Sequence, residues 1–381
     1  MKYLLIFGYS TKNAGDFAIT LGTIDYFLSR NHDIDIISKD HSTSEEFKKT
    51  LEIIKNKYPQ ITVYPHKFKL RRNKKILLFL DYFVGFLKSV FRIHGNYYKN
   101  IIKNYDGLLF GGGNVLRGES LTDLIRLKGL FYPFIFNKKK IPVYVLPSST
   151  GKMNTSSKRL VYRFLKTTEM CFVREPDSLT IFQKLFPRIS HKFLLSADMA
   201  FHIKHKFSKE VVENRKKLSN VGITLRIYTI GDIKPFDEGK KQVVFNQIKE
   251  LIFGNKDKKF HFIVQTTKDM FFTKSVFEYF RDLGFNVFYF ESHDPISLIK
   301  YYNKLNCLIA MRLHSAILSL STETPVLGFF DENWGYKNKG LMDYFNLPVF
   351  FLNEKIKLKV PSMGIFRKNI FILKNNLNIY F

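Results

Sequence analysis

The sequence predicts an α/β protein built from two Rossmann-like, doubly wound domains. Three observations carry that expectation. Short apolar runs recur along the whole chain, and stretches with apolar residues at helical spacing alternate with them. The alternation is interrupted by a charged polar stretch, Lys204 to Asn220, after which a new strand begins at Val221. With 381 residues the chain is long enough for two ordinary domains, each with its own core. Two such sheets joined by a linker imply a two-lobed molecule whose cleft faces the strand carboxyl ends of both halves.

The elements follow in order. Tyr3 to Phe7 reads as a first strand, entering the loop Gly8 to Asp16. A helix with Ala18, Leu21, Ile24, Phe27 and Leu28 on its apolar face comes next. Ile34 to Ile37 and Ile61 to Tyr64 are strands, with a helix around Ser44 to Lys55 between them. Gly107 to Phe110 is a strand that opens onto Gly111-Gly112-Gly113-Asn114, followed by a helix over Leu121 to Phe136. Pro142 to Leu146 is a strand, Pro147 to Gly151 a loop and Ser157 to Thr167 a helix. The strand Met170 to Val173 ends at Arg174, with Asp177 placed to cap the next helix, and Phe193 to Leu195 leads to Asp198. In the second half, strands are expected at Val221–Ile227, Phe260–Val264, Val287–Phe290, Leu308–Met311 and Val326–Phe330. Helices are expected near 239–253, 273–282, 295–304 and 314–321.

Residues 67–104 break this rhythm. Lys67, Lys69, Arg71, Arg72, Lys74 and Lys75 precede an aromatic stretch, Ile76 to Arg92, of helical spacing. Such a segment can lie on an anionic membrane surface through 67–92; the plain alternative is a helix packed on the sheet with a solvated basic end. The domain plan is therefore 1–203 with an insert at 67–104, a linker at 204–220, a second domain at 221–350, and a tail at 351–381 that packs back on the first domain.

Composition narrows the class. Hydrophobic content of 45% and charged content of 25% are those of a globular protein. Sixty-one Lys and Arg against 33 Asp and Glu give a formal charge of +28, which favours anionic partners. Richness in Lys, Asn, Ile, Tyr and Phe also fits AT-rich coding, so part of that charge is compositional. Cys171 and Cys307 each sit in an apolar run and read as buried thiols. No Cys or His spacing suggests a metal site. The first residues read as a strand rather than a signal peptide, and no run reaches the ~18 apolar residues of a membrane span. A cytoplasmic protein is expected, with peripheral contact at the inner face of the membrane if 67–92 binds lipid.

Four polar turns stand at expected strand ends. Asn13-Ala14-Gly15-Asp16 combines a glycine, which lets backbone approach a ligand, with a carboxylate able to take a hydroxyl proton; Asp16 could equally be a helix cap. Gly111 to Gly113 would offer backbone N–H groups to an anion or a glycan oxygen, or form a plain tight turn. Arg174 emerges from an apolar run. Arg312 and His314 sit between the strand that begins at Cys307 and a helix, where an anion would bind; a surface ion pair and a helix cap are the alternatives. Arg suits two-pronged binding of phosphate or carboxylate. The helix dipole disfavours a cationic His314, and a bound phosphate would oppose that effect.

Taken together, Asn13-Ala-Gly-Asp16 with Ala18-Ile19, Asp106-Gly with Gly111-Gly-Gly113, Val173-Arg174-Glu with Ser178 and Leu185, Asp198 with Ala200-Phe201, and Arg312-Leu-His314 resemble the polysaccharide pyruvyl transferases. The likeness runs from the first strand to about residue 347. It implies a GT-B-like fold with phosphoenolpyruvate as donor and no cofactor. It also implies a glycan acceptor, lipid-linked or free, with the acceptor on the first-domain side and phosphoenolpyruvate on the second. Carried over by position, it gives Arg174, Arg312 and Leu313 to the donor, makes His314 the catalytic acid and puts Asp16 in the sugar-side loop. Asn13, Gly15, Gly112, Gly113 and Asn114 join as acceptor or anion loops. Two departures stand out: Thr324 where the family usually has Gly before Pro325, and a longer loop at 329–340 where it has a compact Tyr and Lys pair. The alternatives are a nucleotide-sugar glycosyltransferase of the same fold, or a non-catalytic basic protein that binds membrane or nucleic acid; of the two partners nucleic acid is the less expected.

Overall fold

The computed structural model describes all residues except 12, 68–80, 82–83, 85–86, 88–90, 206–218, 230–233 and 335. The chain divides into two compact units. The first comprises Met1–Thr11, Ile19–Met199 and Leu373–Phe381; the second comprises Lys12–Ala18 and Ala200–Ile372. The expected domains were contiguous stretches, 1–203 and 221–350. Lys12–Ala18 departs from this plan by grouping with the later unit, and of the tail expected at 351–381 to pack back on the first domain only Leu373–Phe381 does so, 351–372 grouping with the second unit.

The first unit's sheet is built from β1 (Lys2–Gly8), β2 (Asp33–His41), β3 (Val63–His66), β4 (Gly107–Phe110), β5 (Gly113–Gly118), β6 (Val143–Met153), β7 (Met170–Val173) and β8 (Phe193–Leu195). The order is β3-β2-β1-β4-β6-β7-β8 with β5 also on β6, and every pair is parallel. A parallel sheet is covered on both faces, so its strands are apolar throughout rather than alternating; β1 from Tyr3 onward and all of β4 and β7 are buried accordingly. Asp35, buried in β2, has its oxygens occupied: Tyr105 Oη donates at 2.7 Å, Thr62 N–H at 2.7 Å, and Lys2 Nζ pairs at 2.9 Å.

The helices of this part are α1 (Ala14–Leu28), α2 (Glu45–Lys57), α3 (Gly95–Ile102), α4 (Leu121–Phe131), α5 (Thr155–Lys166) and α6 (Pro176–Leu185). Side-chain capping sets the start of α2, α4 and α5. Ser44 accepts from Phe47 N–H at α2, Ser120 and Asp123 form a capping box at α4, and Asn154 accepts from Ser157 N–H at α5. Several expectations are corrected. Pro147–Gly151 is not a loop but the middle of β6, which β5 keeps paired beyond the end of β4. The helix expected to reach Phe136 ends at Phe131 and tightens into a 3-10 turn, Tyr132–Phe136, because Pro133 cannot donate to the helix. Glu175, not Asp177, is the cap of α6, and Pro176 takes its first position. Lys69 to Lys75 and most of the expected 76–92 helix lie outside the described residues.

The second unit holds β9 (Asn220–Thr224), β10 (Lys259–Val264), β11 (Val287–Glu291), β12 (Cys307–Ala310), β13 (Val326–Phe330) and β14 (Val349–Phe351). They form a parallel sheet in the order β11-β10-β9-β12-β13-β14, the doubly wound arrangement. Its helices are α7 (Glu238–Phe253), α8 (Thr267–Asp282), α9 (Pro295–Tyr302), α10 (Leu313–Ser321) and α11 (Tyr336–Tyr344); α12 (Gly364–Asn378) runs on into the first unit. β9 stops at Thr224 rather than Ile227, and α8 begins six residues before the expected 273. β14 and α12 were not expected. Cys171 and Cys307 are buried and free, and burial pushes the Cys307 thiol up to about 12.

Candidate functional site

In the second sheet the strand order reverses between β9 and β12, and ligands of such sheets sit at the carboxyl ends of the strands flanking that reversal. There Thr224 pairs with Ala310, and Met311 N–H donates to Thr224 O at 3.1 Å. Arg226 and Arg312 each follow this pair by two residues, just beyond the carboxyl ends of the neighbouring strands β9 and β12. Both are buried, at 6% and 7% exposure.

Arg312 is the N-cap of α10, and its Nε is bonded to the Asp269 carboxylate in the first turn of α8. Asp269 is itself buried. This ion pair fixes the guanidinium at the strand end, and a buried charge needs such a partner. Leu313 and His314 are the first two residues of α10, so their N–H groups lie in the helix turn that has no intrahelical acceptors.

His314 meets the Asn13–Asp16 loop, which belongs to the same unit. A Cβ placed on Gly15 would lie 2.4 Å from His314 Cβ and 2.7 Å from Nδ1. Only a glycine lets the backbone come this close. Asn13 shapes the loop: its Oδ1 accepts from Gly15 N–H at 2.9 Å and its carbonyl from Phe17 N–H at 2.9 Å. Asp16, partly exposed in the first turn of α1, makes no hydrogen bond or ion pair with another described residue. The sequence named each of these residues but not the contact that joins Gly15 to His314.

Arg226 went unnoticed at the sequence level because it lies inside an apolar run that read as strand. Its Nη2 donates to Thr229 O at 2.8 Å, and its guanidinium lies 4.5 Å from the ring centroid of Trp334, the sole tryptophan of the chain. Trp334 is fully buried, donates its Nε1–H to Tyr228 O at 3.0 Å and stacks on Phe236. Trp334 belongs to the expected 329–340 loop, where Asp331 pairs with Lys240 at 2.5 Å. The other departure, Thr324, is absorbed locally: its Oγ1 donates to Tyr302 O at 3.0 Å, and the left-handed turn falls on Glu323 instead.

The first unit's residues have other commitments. Arg174 is 3% exposed; its Nε donates to Ser149 Oγ at 2.6 Å and its Nη1 to Asp198 Oδ2 at 2.8 Å, with Glu175 at 4.0 Å. Burial alone would lower its pKa, but Asp198 and Glu175 outweigh this and the net shift is upward. Gly111 to Gly113 is not an open nest of N–H groups: Gly111 N–H donates to Ile6 O at 3.0 Å, and Gly113 is already paired in β5. Gly113 has a φ of +100°, and a Cβ on Gly112 would stand 2.5 Å from Pro147 O, so the triplet is a kink between β4 and β5. Gly112 O accepts from Tyr9 Oη at 2.6 Å, and Asn114 is half-buried in β5. Among the described residues no three His, Cys, Asp or Glu side chains gather to hold a metal.

A family model described as polysaccharide pyruvyl transferase matches residues 13–329. An amylovoran biosynthesis protein, AmsJ of Erwinia amylovora, is 25% identical, over 91% of this chain and 87% of its own. Among solved structures, a UDP-N-acetylglucosamine 2-epimerase described as putative, from Listeria monocytogenes, aligns with a TM-score of 0.54 at 11% identity, covering 99% of this chain and 89% of that one. The UDP-GlcNAc 2-epimerase of Neisseria meningitidis gives 0.52 at 13%, covering 100% and 93%. At such identities these likenesses concern the fold alone, which is GT-B-like with two Rossmann-like domains.

Proposed function

The chain belongs to the polysaccharide pyruvyl transferase family, and from that premise we propose that it moves the pyruvyl unit of phosphoenolpyruvate onto a sugar of a cell-surface polysaccharide or its precursor. The product is a pyruvate ketal and the leaving group is phosphate. The similarity to a protein of amylovoran biosynthesis supports a glycan acceptor. The observation that carries the reading is the packing of Gly15, the residue before Asp16, against His314, two residues on from Arg312 and its partner Asp269.

In this scheme Arg312 and Arg226 take the carboxylate and phosphate of the donor, with the N–H groups of Leu313 and His314 completing the phosphate's contacts. His314 delivers a proton to the methylene carbon. As C2 gains positive character, an acceptor hydroxyl bonds to it and its proton passes to Asp16. The bond from C2 to the phosphate oxygen then breaks, and a second hydroxyl of the same sugar bonds to C2 and loses its proton. The balance is one phosphoenolpyruvate and one diol in, one ketal and one phosphate out. Preorganised positive charge around the enol phosphate supplies the largest share of the rate. Arg174, held by Ser149 and Asp198, is assigned to shaping the first unit, a departure from the role the family resemblance gave it.

The test measures phosphate release from phosphoenolpyruvate with a panel of galactosides and N-acetylhexosamines, while Trp334 emission follows donor binding. Acceptor-dependent release is expected, with emission changing as phosphoenolpyruvate is added because Arg226 lies over the indole. His314→Ala should lose roughly 10²- to 10⁴-fold in kcat with the emission change retained. Release that needs no acceptor, or emission that answers to a UDP-sugar and not to phosphoenolpyruvate, would sink the proposal.

A further inference from the structure

The first unit carries a surface that the proposed chemistry does not use. Val84, Leu87 and Phe91 recur at helical spacing, Phe91 N–H donates to Leu87 O at 3.0 Å, and all three are exposed, Phe91 at 71%. The turn that follows, with Ile93 also exposed, is fastened to a distant segment: Tyr132 Oη donates to Ile93 O at 2.5 Å, and a Cβ on Gly95 would strike Phe136. That segment presents Ile135, 56% exposed, and runs into Lys138, Lys139 and Lys140, where Lys139 Nζ donates to Lys103 O at 3.4 Å. The fold thus brings two stretches some 40 residues apart into one face.

Its chemistry has two components. Both joined stretches present exposed aliphatic or aromatic side chains, which water leaves without partners. Around them the charge is of one sign: the described residues of 84–104 and 132–141 include six Lys or Arg and not one Asp or Glu. Arg92, Lys103 and Lys138 to Lys140 are exposed, and none is in an ion pair with a described residue. Nucleic acid would satisfy the cations and stack a base on Phe91, but it leaves the exposed aliphatic Val84, Leu87, Ile93 and Ile135 without apolar cover. An acidic protein would need carboxylates facing these six cations around an apolar centre. A bilayer with anionic headgroups meets both needs, taking apolar tips at the headgroup boundary and cations at the phosphates.

We propose that the face formed by Phe91, Ile93, Ile135 and the Lys138–Lys140 loop docks on an anionic lipid surface. The proposal is independent of the reaction assigned above. Co-sedimentation of the full chain with vesicles of phosphatidylglycerol mixed with phosphatidylcholine, and with vesicles of phosphatidylcholine alone, tests it. Partition onto the anionic vesicles should be strong, weakened by salt, and at least tenfold above that on neutral ones. Lys138→Ser, Lys139→Ser and Lys140→Ser together should lower it roughly a hundredfold. The double variant Phe91→Ser, Ile135→Ser should lower it at least about tenfold while leaving the charge unchanged. The control Phe271→Ser, Phe371→Ser, at exposed apolar positions elsewhere, should match the parent. All these side chains are exposed, so unchanged thermal midpoints are expected and would confirm that the variants fold. Equal partition on both vesicle types overturns the proposal. So does an unchanged Phe91→Ser, Ile135→Ser variant, which would mark plain charge adhesion, or an equal loss in the control.

Discussion

At Gly15 the absence of one carbon decides where His314 can stand. A methyl there would meet the histidine Cβ at 2.4 Å, and the ring would have to turn away or the Asn13 loop lift. Gly15→Ala should therefore lower phosphate release by at least tenfold, since displacement of a reacting group by about 1 Å costs on the order of a hundredfold. The thermal midpoint should move by only a few degrees. Full activity in Gly15→Ala would show that His314 does not act from this position. The sequence made Gly15, Arg312 and His314 legible because a glycine, a cation and an imidazole at strand ends do not suit an apolar core. It could not show what holds them. Asp269 sits 43 residues from Arg312, in a stretch whose polar residues read as a loop, and Arg226 was hidden by its apolar neighbours Leu225 and Ile227.

Among the elements, β10 carries a titration that stability should follow. His261 is stacked on Phe288, and its Nδ1 lies 2.9 Å from Tyr301 Oη. Burial, helped by the charge of Lys259, lowers its pKa from 6.5 to about 4. The folded-state value is depressed for a base, so between about 6.5 and about 4 the unfolded chain takes up a proton that the folded chain refuses. Stability therefore falls as pH drops through that window, by something like 2 kcal/mol once partial exposure is allowed for. Urea midpoints near pH 7 and near pH 4.5 should separate less in His261→Phe than in the parent, and equal separation would refute the assignment. Central strands such as β1, β4 and β12 were readable from their unbroken apolar runs. β5 was not, because Gly113, Asn114 and Arg117 disguise a strand that pairs with β6 alone among the described residues. β14 is three residues long, and α12 is interrupted by polar Asn and Lys where it faces solvent.

For the whole molecule, the sequence conveyed two α/β units from the restart of the pattern at Val221 and a tail returning to the first, but neither the grouping of Lys12–Ala18 with the second unit nor the residue at which the tail returns was legible. Contacts of the last nine residues explain why they leave the second unit. Leu373 O accepts from Ser196 Oγ and Ala197 N–H, Asn376 donates to Leu195 O, and Phe381 packs edge-on to Tyr3, Phe27 and Tyr144. Leu373 and Leu377 are fully buried. A chain ending at Ile372 should lose roughly 5 kcal/mol from the first unit, seen as an earlier unfolding transition; a midpoint equal to that of the full chain would mean these contacts contribute little.

This routing has a consequence for biosynthesis. The second unit already has its borrowed piece, Lys12–Ala18, in hand when Ile372 leaves the ribosome, whereas the first still lacks Leu373–Phe381. At about 5 to 20 residues per second, the first unit waits roughly ten to thirty-five seconds, while residues 200–372 are made, before its last packing residues exist. Order of synthesis and order of completion are reversed, and the nascent first unit is the one exposed to chaperones and proteases in the interval.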